Sequence, residues 1–299
     1  PERLGVMMNY CTPALRIIPL AHSRATGMMD LADLKRKLSA ETAAVYFENP
    51  SYLGSIETEG DTIAELAHQC GALLVVGADP SSCGVMAPPS RYGCDLVCGD
   101  IQALGMHMHY GGGLGGFIGC RDEERFVMEY PFRLFGIAET SVPGEWGFGD
   151  VAYSRTSFAQ REQGKEFVGT AAALWGITAG VYLSLMGPKG MRELGATIMQ
   201  KSQYAAARLS EIPGVRAPAL DAPHFKEFVV NFDGARCTVR KINDHLLAQG
   251  IFGGHDLSGD FPELGQSALY CVTELHTQEQ LDRLVDAVSC AIEGGECRG

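Results

Sequence analysis

The residues of this 299-residue chain that could do chemistry gather in its first two thirds. Asp79 follows an apolar run in "VVGADPSS". Its carboxylate suits a ligand ring nitrogen or a cation, but an aspartate before Pro80 also serves as a turn residue bonding its own backbone. His107 and His109, in "MHMHY", have a spacing that puts both rings on one face of a strand, as some metal sites require. No Cys, Asp or Glu lies nearby to complete a tetrahedron, and one packed and one solvated histidine is the plainer reading. Gly111, Gly112 and Gly113 offer backbone N–H groups to a phosphate, or simply an unconstrained turn. The pattern is neither GxGxxG nor GxxxxGK[ST], so no dinucleotide or nucleoside triphosphate is indicated. Lys165 is the only lysine between residues 38 and 188 and reads as a solvated helix residue. Arg161-Glu162 reads as a surface pair of little energetic worth. Cys94 and Cys98 are the closest of ten cysteines, and no CxxC occurs. At that spacing the two would share one face of a strand, as free thiols in a reducing compartment. These residues make a candidate pocket without a complete catalytic set.

The elements that must position them follow from periodicity. "DLADLKRKL" reads as a short amphipathic helix capped by Asp30. Ala43–Phe47 reads as a strand, stopped by Asn49-Pro50. Asp61–Gly71 reads as a capped helix ended by glycine. Ala72–Val76 is apolar without alternation, like a strand covered on both faces. "DLVCG" and "GGFIGC" read as two further strands. Strand, helix, strand at these spacings implies βαβ units and a largely parallel sheet, with ligands beyond the carboxyl ends of the strands. Asn49, Asp79 and the 99–113 loop fall at such ends and should converge. "PGEWGFGDVAY" reads as a hairpin or extended arm. Arg161 to Leu185 reads as one helix, broken by Gly187-Pro188 and followed by a second to Leu209. "KEFVVNF", "CTVRKINDHLLAQG", "ALYCVTE" and "TQEQLDRLVDAVSCAI" read as strand, helix, strand and helix. The last is marked by Thr277 and Gln280 as a capping box. The expected organisation is a large α/β unit over 1–185, a linking helix over 186–212 and a small α+β unit over 213–299.

Composition narrows the function classes. The chain is 46% hydrophobic, enough for a large core, and carries a formal charge of −12. No run of Lys and Arg forms a phosphate-tracking stripe, so nucleic acid is not an expected partner. No stretch is long and apolar enough to span a membrane, and a cytoplasmic location is expected.

Several stretches together resemble the P-protein family of the glycine cleavage system, and more narrowly the subunit 1 branch of its two-subunit form. They are "ETAAVYFENPSYLGSIE", "GADPSSCGVMAPPSRYGCDLVCGD", "QALGMHMHYGGGLGGF", "MEYPFRLFGIAE", "GPKGMRELG", "FKEFVVNF" and "LYCVTELHTQEQLDRLVDA", in family order over nearly the whole chain. The resemblance implies the fold of type I pyridoxal-phosphate (PLP) transferases: a large domain with a mostly parallel sheet and a small C-terminal α+β domain. It also implies that about the first third of a complete subunit precedes Pro1. In the cofactor-carrying branch the loop reads "NLHKTF" and its lysine forms the Schiff base. Ala103 falls at that lysine here, and "DIQALG" looks like the lysine-free loop of subunit 1. Asp79 falls at the ring-nitrogen aspartate, left without its partner. Asp79, Gln102, Ala103, His107, His109, Gly111 and Gly112 are thus expected to line a vestigial cofactor pocket. Asn49, Arg161 and Thr170 would lie at the pocket or the subunit contact. The chain itself should bind no PLP covalently and no metal.

The resemblance further implies a PLP-bearing subunit 2, a lipoylated H-protein and an α2β2 assembly that decarboxylates glycine and transfers the aminomethyl group to the lipoyl arm. "REQGKEFVGTAAAL" departs from the usual family stretch at Lys165, Glu166 and Phe167. That departure keeps open a non-catalytic scaffold or regulatory paralogue of a related complex acting on another amino acid. A third reading, an independent PLP enzyme using Lys165, sets that lysine far in sequence from the strand-end loop.

Overall fold

The computed structural model describes residues 1–108, 115–165 and 172–294. The chain opens with helix α1 (Glu2–Cys11), none of whose residues is buried. Helix α2 (Leu31–Lys37) starts where predicted: the Asp30 carboxylate accepts from the N–H groups of Ala32 and Asp33. Strand β1 (Ala44–Asn49) is followed by helix α3 (Gly60–Gln69), strand β2 (Leu73–Ala78) and strand β3 (Leu96–Asp100). These three strands run parallel in the order β1-β2-β3, and β4 (Gly116–Cys120) closes the sheet antiparallel to β3. Leu74 and Val76 of β2 are fully buried against Val45, Ile63 and Ala67, while Leu73 and Val75 on the other face are half-buried. Helix α3 departs from expectation at its start. Glu59 is the N-cap and no side chain caps the helix, so the start rests on packing of Ile63 and Ala67 rather than on Asp61.

After a one-turn helix α4 (Glu124–Val127), strands β5 (Phe135–Glu139) and β6 (Trp146–Asp150) form a hairpin to which the predicted "PGEWGFGDVAY" stretch contributes only the second strand. Its register pairs Ile137 with Phe148 and Glu139 with Trp146 on one face, and Gly136 with Gly149 and Ala138 with Gly147 on the other. Buried Arg155 holds the hairpin root by donating to the carbonyls of Tyr130 (2.8 Å) and Phe132 (2.6 Å). A second one-turn helix, α5 (Ser157–Gln160), comes next.

The helix expected from Arg161 does not begin there. Arg161 has φ of +54°, and residues 161–163 form a single 3₁₀ turn. A residue in that left-handed region cannot continue a right-handed helix. The long helix α6 runs from Ala173 to Ser210 and bends at Gly187, whose φ of 59° and ψ of −179° are open to glycine alone. Pro188 follows, so the bend also lacks one backbone donor.

The remaining chain builds β7 (Glu227–Asn231), α7 (Val239–Ala248), the two-residue β8 (His255–Asp256), β9 (Ser267–Cys271) and α8 (Gln278–Glu293). The sheet order is β7-β9-β8, all antiparallel. The predicted capping box is present: the Thr277 hydroxyl accepts from the Gln280 N–H, and the Gln280 carboxamide from the Thr277 N–H. Phe228, Val229 and Val230 are all buried, so β7 is covered on both faces rather than one. The reason is a loop from the first half. Leu53, just after β1, packs with Leu220, Val229 and Leu257. Beside it Gly54 has φ of +88°, and a Cβ there would lie 2.0 Å from the Glu227 carbonyl oxygen. The β1–α3 connection is thus pressed against the backbone of β7.

Two cysteine expectations change. Cys94 precedes β3, so it does not share that strand with Cys98, although both are free thiols. Cys237 is disulfide-bonded, against the expectation of free thiols throughout.

Candidate functional site

Asn49, Asp79 and the turn after Asp100 leave the carboxyl ends of three neighbouring parallel strands. Asn49 ends β1 and is buried. Its carboxamide donates to the Glu57 carbonyl (3.2 Å) and accepts from the Glu57 N–H (3.1 Å), so it fastens the loop that reaches β7. Burial pushes the neighbouring Tyr92 phenol up to about 12, with Asn49 as its hydrogen-bond partner.

Asp79 stands one residue past β2, and both readings of it hold at once. Oδ1 accepts from the Ser81 N–H (2.9 Å) and the Ser81 hydroxyl (2.6 Å), which makes the aspartate turn before Ser82. Oδ2 faces a cation: Lys226 Nζ lies 2.5 Å away. The sequence pointed to no partner for Asp79 within the chain, and the structure supplies Lys226. Lys226 immediately precedes β7 and is carried to Asp79 by the docking of the Leu53–Gly54 loop on that strand. Lys226 Nζ is also 3.8 Å from Glu227 Oε1, and the Cys271 thiol, opposite Glu227 across the β7–β9 pair, donates to the same oxygen at 3.6 Å. Burial alone would lower the Lys226 ammonium, but the Glu227 and Asp79 carboxylates outweigh it and hold it above its ordinary value. Burial raises the Glu227 carboxyl, partly offset by Lys226.

The turn after β3 is closed by its own side chains. Gln102 donates its N–H to Asp100 Oδ1 (3.1 Å) and its amide Nε2 to the Met106 carbonyl (3.0 Å). Ala103 sits within this turn, half-buried, between Ile101 and Leu104, which anchor it in a core with Met106, Leu194 and Phe225. Ala103 brings no amine to the strand ends. His107 is exposed and lies outside any strand. No group of three or more His, Cys, Asp or Glu side chains able to hold a metal occurs among the described residues. His109, Gly111, Gly112 and Thr170 lie outside the described residues. Arg161 is exposed in its 3₁₀ turn. Lys165 is ion-paired at the surface with Glu129 (2.7 Å), away from a catalytic role.

A cleft of about 440 Å³ lies along α6, between Leu185, Lys189, Glu193 and Glu274. An apolar groove of about 340 Å³ runs over Leu73, Leu96, Ile118 and Phe126. Neither is lined by Asp79, Ala103 or Lys226. The residues at the strand ends do not fit PLP. The Asp79 carboxylate already holds the Lys226 ammonium, and residue 103 carries a methyl group rather than an amine, so neither offers PLP an anchor.

Comparison with known proteins gives this geometry its relatives. The family model for the glycine cleavage system P-protein matches residues 5–288. A probable glycine dehydrogenase (decarboxylating) subunit 1 from Staphylothermus marinus is 36% identical over 97% of this chain and 61% of its own length. Its counterpart from Pyrococcus furiosus is 34% identical over 96% of this chain and 62% of its own. The chain therefore spans about three fifths of the length of the relatives it matches. A crystal structure of glycine decarboxylase (P-protein) of the glycine cleavage system, in inhibitor-bound form, superposes with a TM-score of 0.85 at 31% identity, covering 97% of this chain and 63% of that one. A NifS-like protein, at 12% identity and a TM-score of 0.65, shares the fold alone. Family model and superposition agree: the chain belongs to the glycine cleavage system P-protein family and has the α/β fold of type I PLP-dependent transferases.

Proposed function

We propose that this chain acts as the cofactor-free subunit 1 of a glycine decarboxylase. PLP would sit in a second subunit, and the assembly, an α2β2 complex in the cytoplasm, would decarboxylate glycine and deliver the aminomethyl group to a lipoylated H-protein. The observation that carries this reading is the strand-end site itself: no amine at Ala103, and Asp79 already engaged by Lys226. A family whose chemistry needs PLP, with a member unable to hold it, calls for a partner that can. The surface supports the same reading. Trp146 and Phe148 on the hairpin and Leu174 and Leu185 on α6 are each more than 60% exposed, large apolar side chains that a partner surface would cover. Within this assembly the chain's task is to shape and close the partner's site. No helix among the described residues is long and apolar enough to cross a membrane.

Co-expression with a second subunit bearing "NLHKTF" tests the proposal. The expected result is a stable complex with the PLP chromophore bound to the partner and glycine–bicarbonate exchange only when both chains are present. A chain that stays alone in the presence of that subunit, or that carries PLP itself, would refute it.

A further inference from the structure

We propose that Lys226 is a built-in counter-cation for Asp79: an ammonium carried on the edge of β7 that stands where a cofactor's ring cation would, shuts the strand-end site to such a cofactor and straps β2 to β7. This rests on the reading that the chain itself carries no PLP, and it adds the reason that restoring a lysine at residue 103 would not suffice.

Four observations carry it. First, both oxygens of Asp79 are used, Oδ1 by Ser81 and Oδ2 by Lys226 at 2.5 Å. Second, the pair is sheltered: the side chains are 17% and 23% exposed, so the contact is not an open surface pair that solvent would screen away. Third, Lys226 is held in place by its backbone, since its carbonyl accepts from the Val272 N–H (2.8 Å) beside the β7–β9 ladder. Fourth, Gly54 lies against the Glu227 carbonyl, where an added Cβ would come within 2.0 Å, so the backbone next to Lys226 is in close contact with the β1–α3 connection. Glu227 adds a second carboxylate 3.8 Å from the same ammonium. An ammonium set between two carboxylates stays protonated and is a poor nucleophile, so Lys226 is a counter-ion rather than a substitute attachment point for an aldehyde.

Chemical rescue in the intact chain tests this. Lys226→Ala leaves a space the shape of the lost side chain beside a bare carboxylate. Propylammonium chloride should raise the melting temperature of this variant progressively, beyond the effect of equal sodium chloride or 1-propanol. The wild-type chain and the Asp79→Asn/Lys226→Ala variant should respond to the three additives alike. Equal responses in all three chains would overturn the proposal. If Lys226→Ala does not fold, a cycle of Lys226→Met, Asp79→Asn and the double variant decides instead. Each single change should weaken the folding equilibrium by about tenfold or more, and the double should recover most of that loss, because a lone sheltered charge is worse than none. Losses that simply add would count against it. Titration with PLP separates this proposal from the one it rests on. Uptake by the wild-type chain that Asp79→Asn abolishes would show the carboxylate free for a ring nitrogen, and would sink the counter-cation. Uptake indifferent to Asp79 would sink only the cofactor-free reading.

Discussion

At the scale of single residues, the strand-end site is marked by Ala103, which brings no amine, and by the Lys226 ammonium beside Asp79. Ala103→Lys should therefore yield a chain with no reducible PLP adduct at residue 103. Borohydride reduction and peptide mapping check this, and a stoichiometric pyridoxyl-lysine at 103 would show the site more intact than the Asp79–Lys226 contact allows. The same contact sets a pH dependence. Lys226 is held above its ordinary value, so its contribution is fully present below the unfolded lysine value of about 10.4 and is lost as pH rises through the higher folded value. Denaturant midpoints measured through alkaline pH should fall more steeply for the wild type than for Lys226→Met; parallel curves would exclude the linkage. Asp79 was legible in the sequence because a carboxylate after a buried strand has only two common uses, and here it has both. Lys226 was not. It lies in the far half of the chain, next to a glutamate in an unremarkable strand opening, and nothing local marks it. Only the docking of the Leu53–Gly54 loop brings it to Asp79, and that is a tertiary fact.

At the scale of elements, the helix starts divide by whether a side chain declares them. Asp30, Thr238 and Thr277 each accept from a first-turn N–H group. Thr277→Ala should lower the stability of the chain by about 1 kcal/mol through loss of the cap. Urea unfolding would measure it, and an unchanged midpoint would mean that α8 is held by Leu281, Val285 and Val288 alone. Undeclared starts were misread. Helix α3 begins at Gly60 without a side-chain cap, and the stretch from Arg161, read as helix up to the Gly187-Pro188 break, becomes α-helical only from Ala173. Its positive φ at Arg161 leaves no mark in the sequence. Strand β8, two residues long, is too short to leave a period in the sequence. The parallel strands were clear for the opposite reason: β2 carries an unbroken apolar run from Leu73 to Val76, buried on one face and half-buried on the other.

At the scale of the whole molecule, the distribution of exposed apolar side chains matters most. Ile137 and Trp146 stand on the same hairpin face, 69% and 63% exposed. Ile137→Ser/Trp146→Ser should leave the stability of the isolated chain within about 0.5 kcal/mol, as surface changes do. It should weaken association with the partner subunit by tenfold or more, since a tryptophan anchor carries a large share of interface energy. Paired melting curves and sedimentation of the complex would check both halves; a destabilised monomer with unchanged association would place these residues in folding instead. The other side of that hairpin has a consequence in distance. Ordinary sheets stack about 10 Å apart because side chains fill the space between them. On this side the filling is three glycines, 136, 147 and 149, and the methyl of Ala138, and a Cβ added at Gly149 would meet nothing within 4 Å. The ribbon is thus bulky on one flank and slight on the other, where the Val151 and Thr140 methyls stand 3.0 and 3.2 Å from a Cβ built at Gly136 and Gly147. A surface that packs on the slight flank can come nearer the backbone than in a sheet of usual thickness, and each methyl added there would push it away.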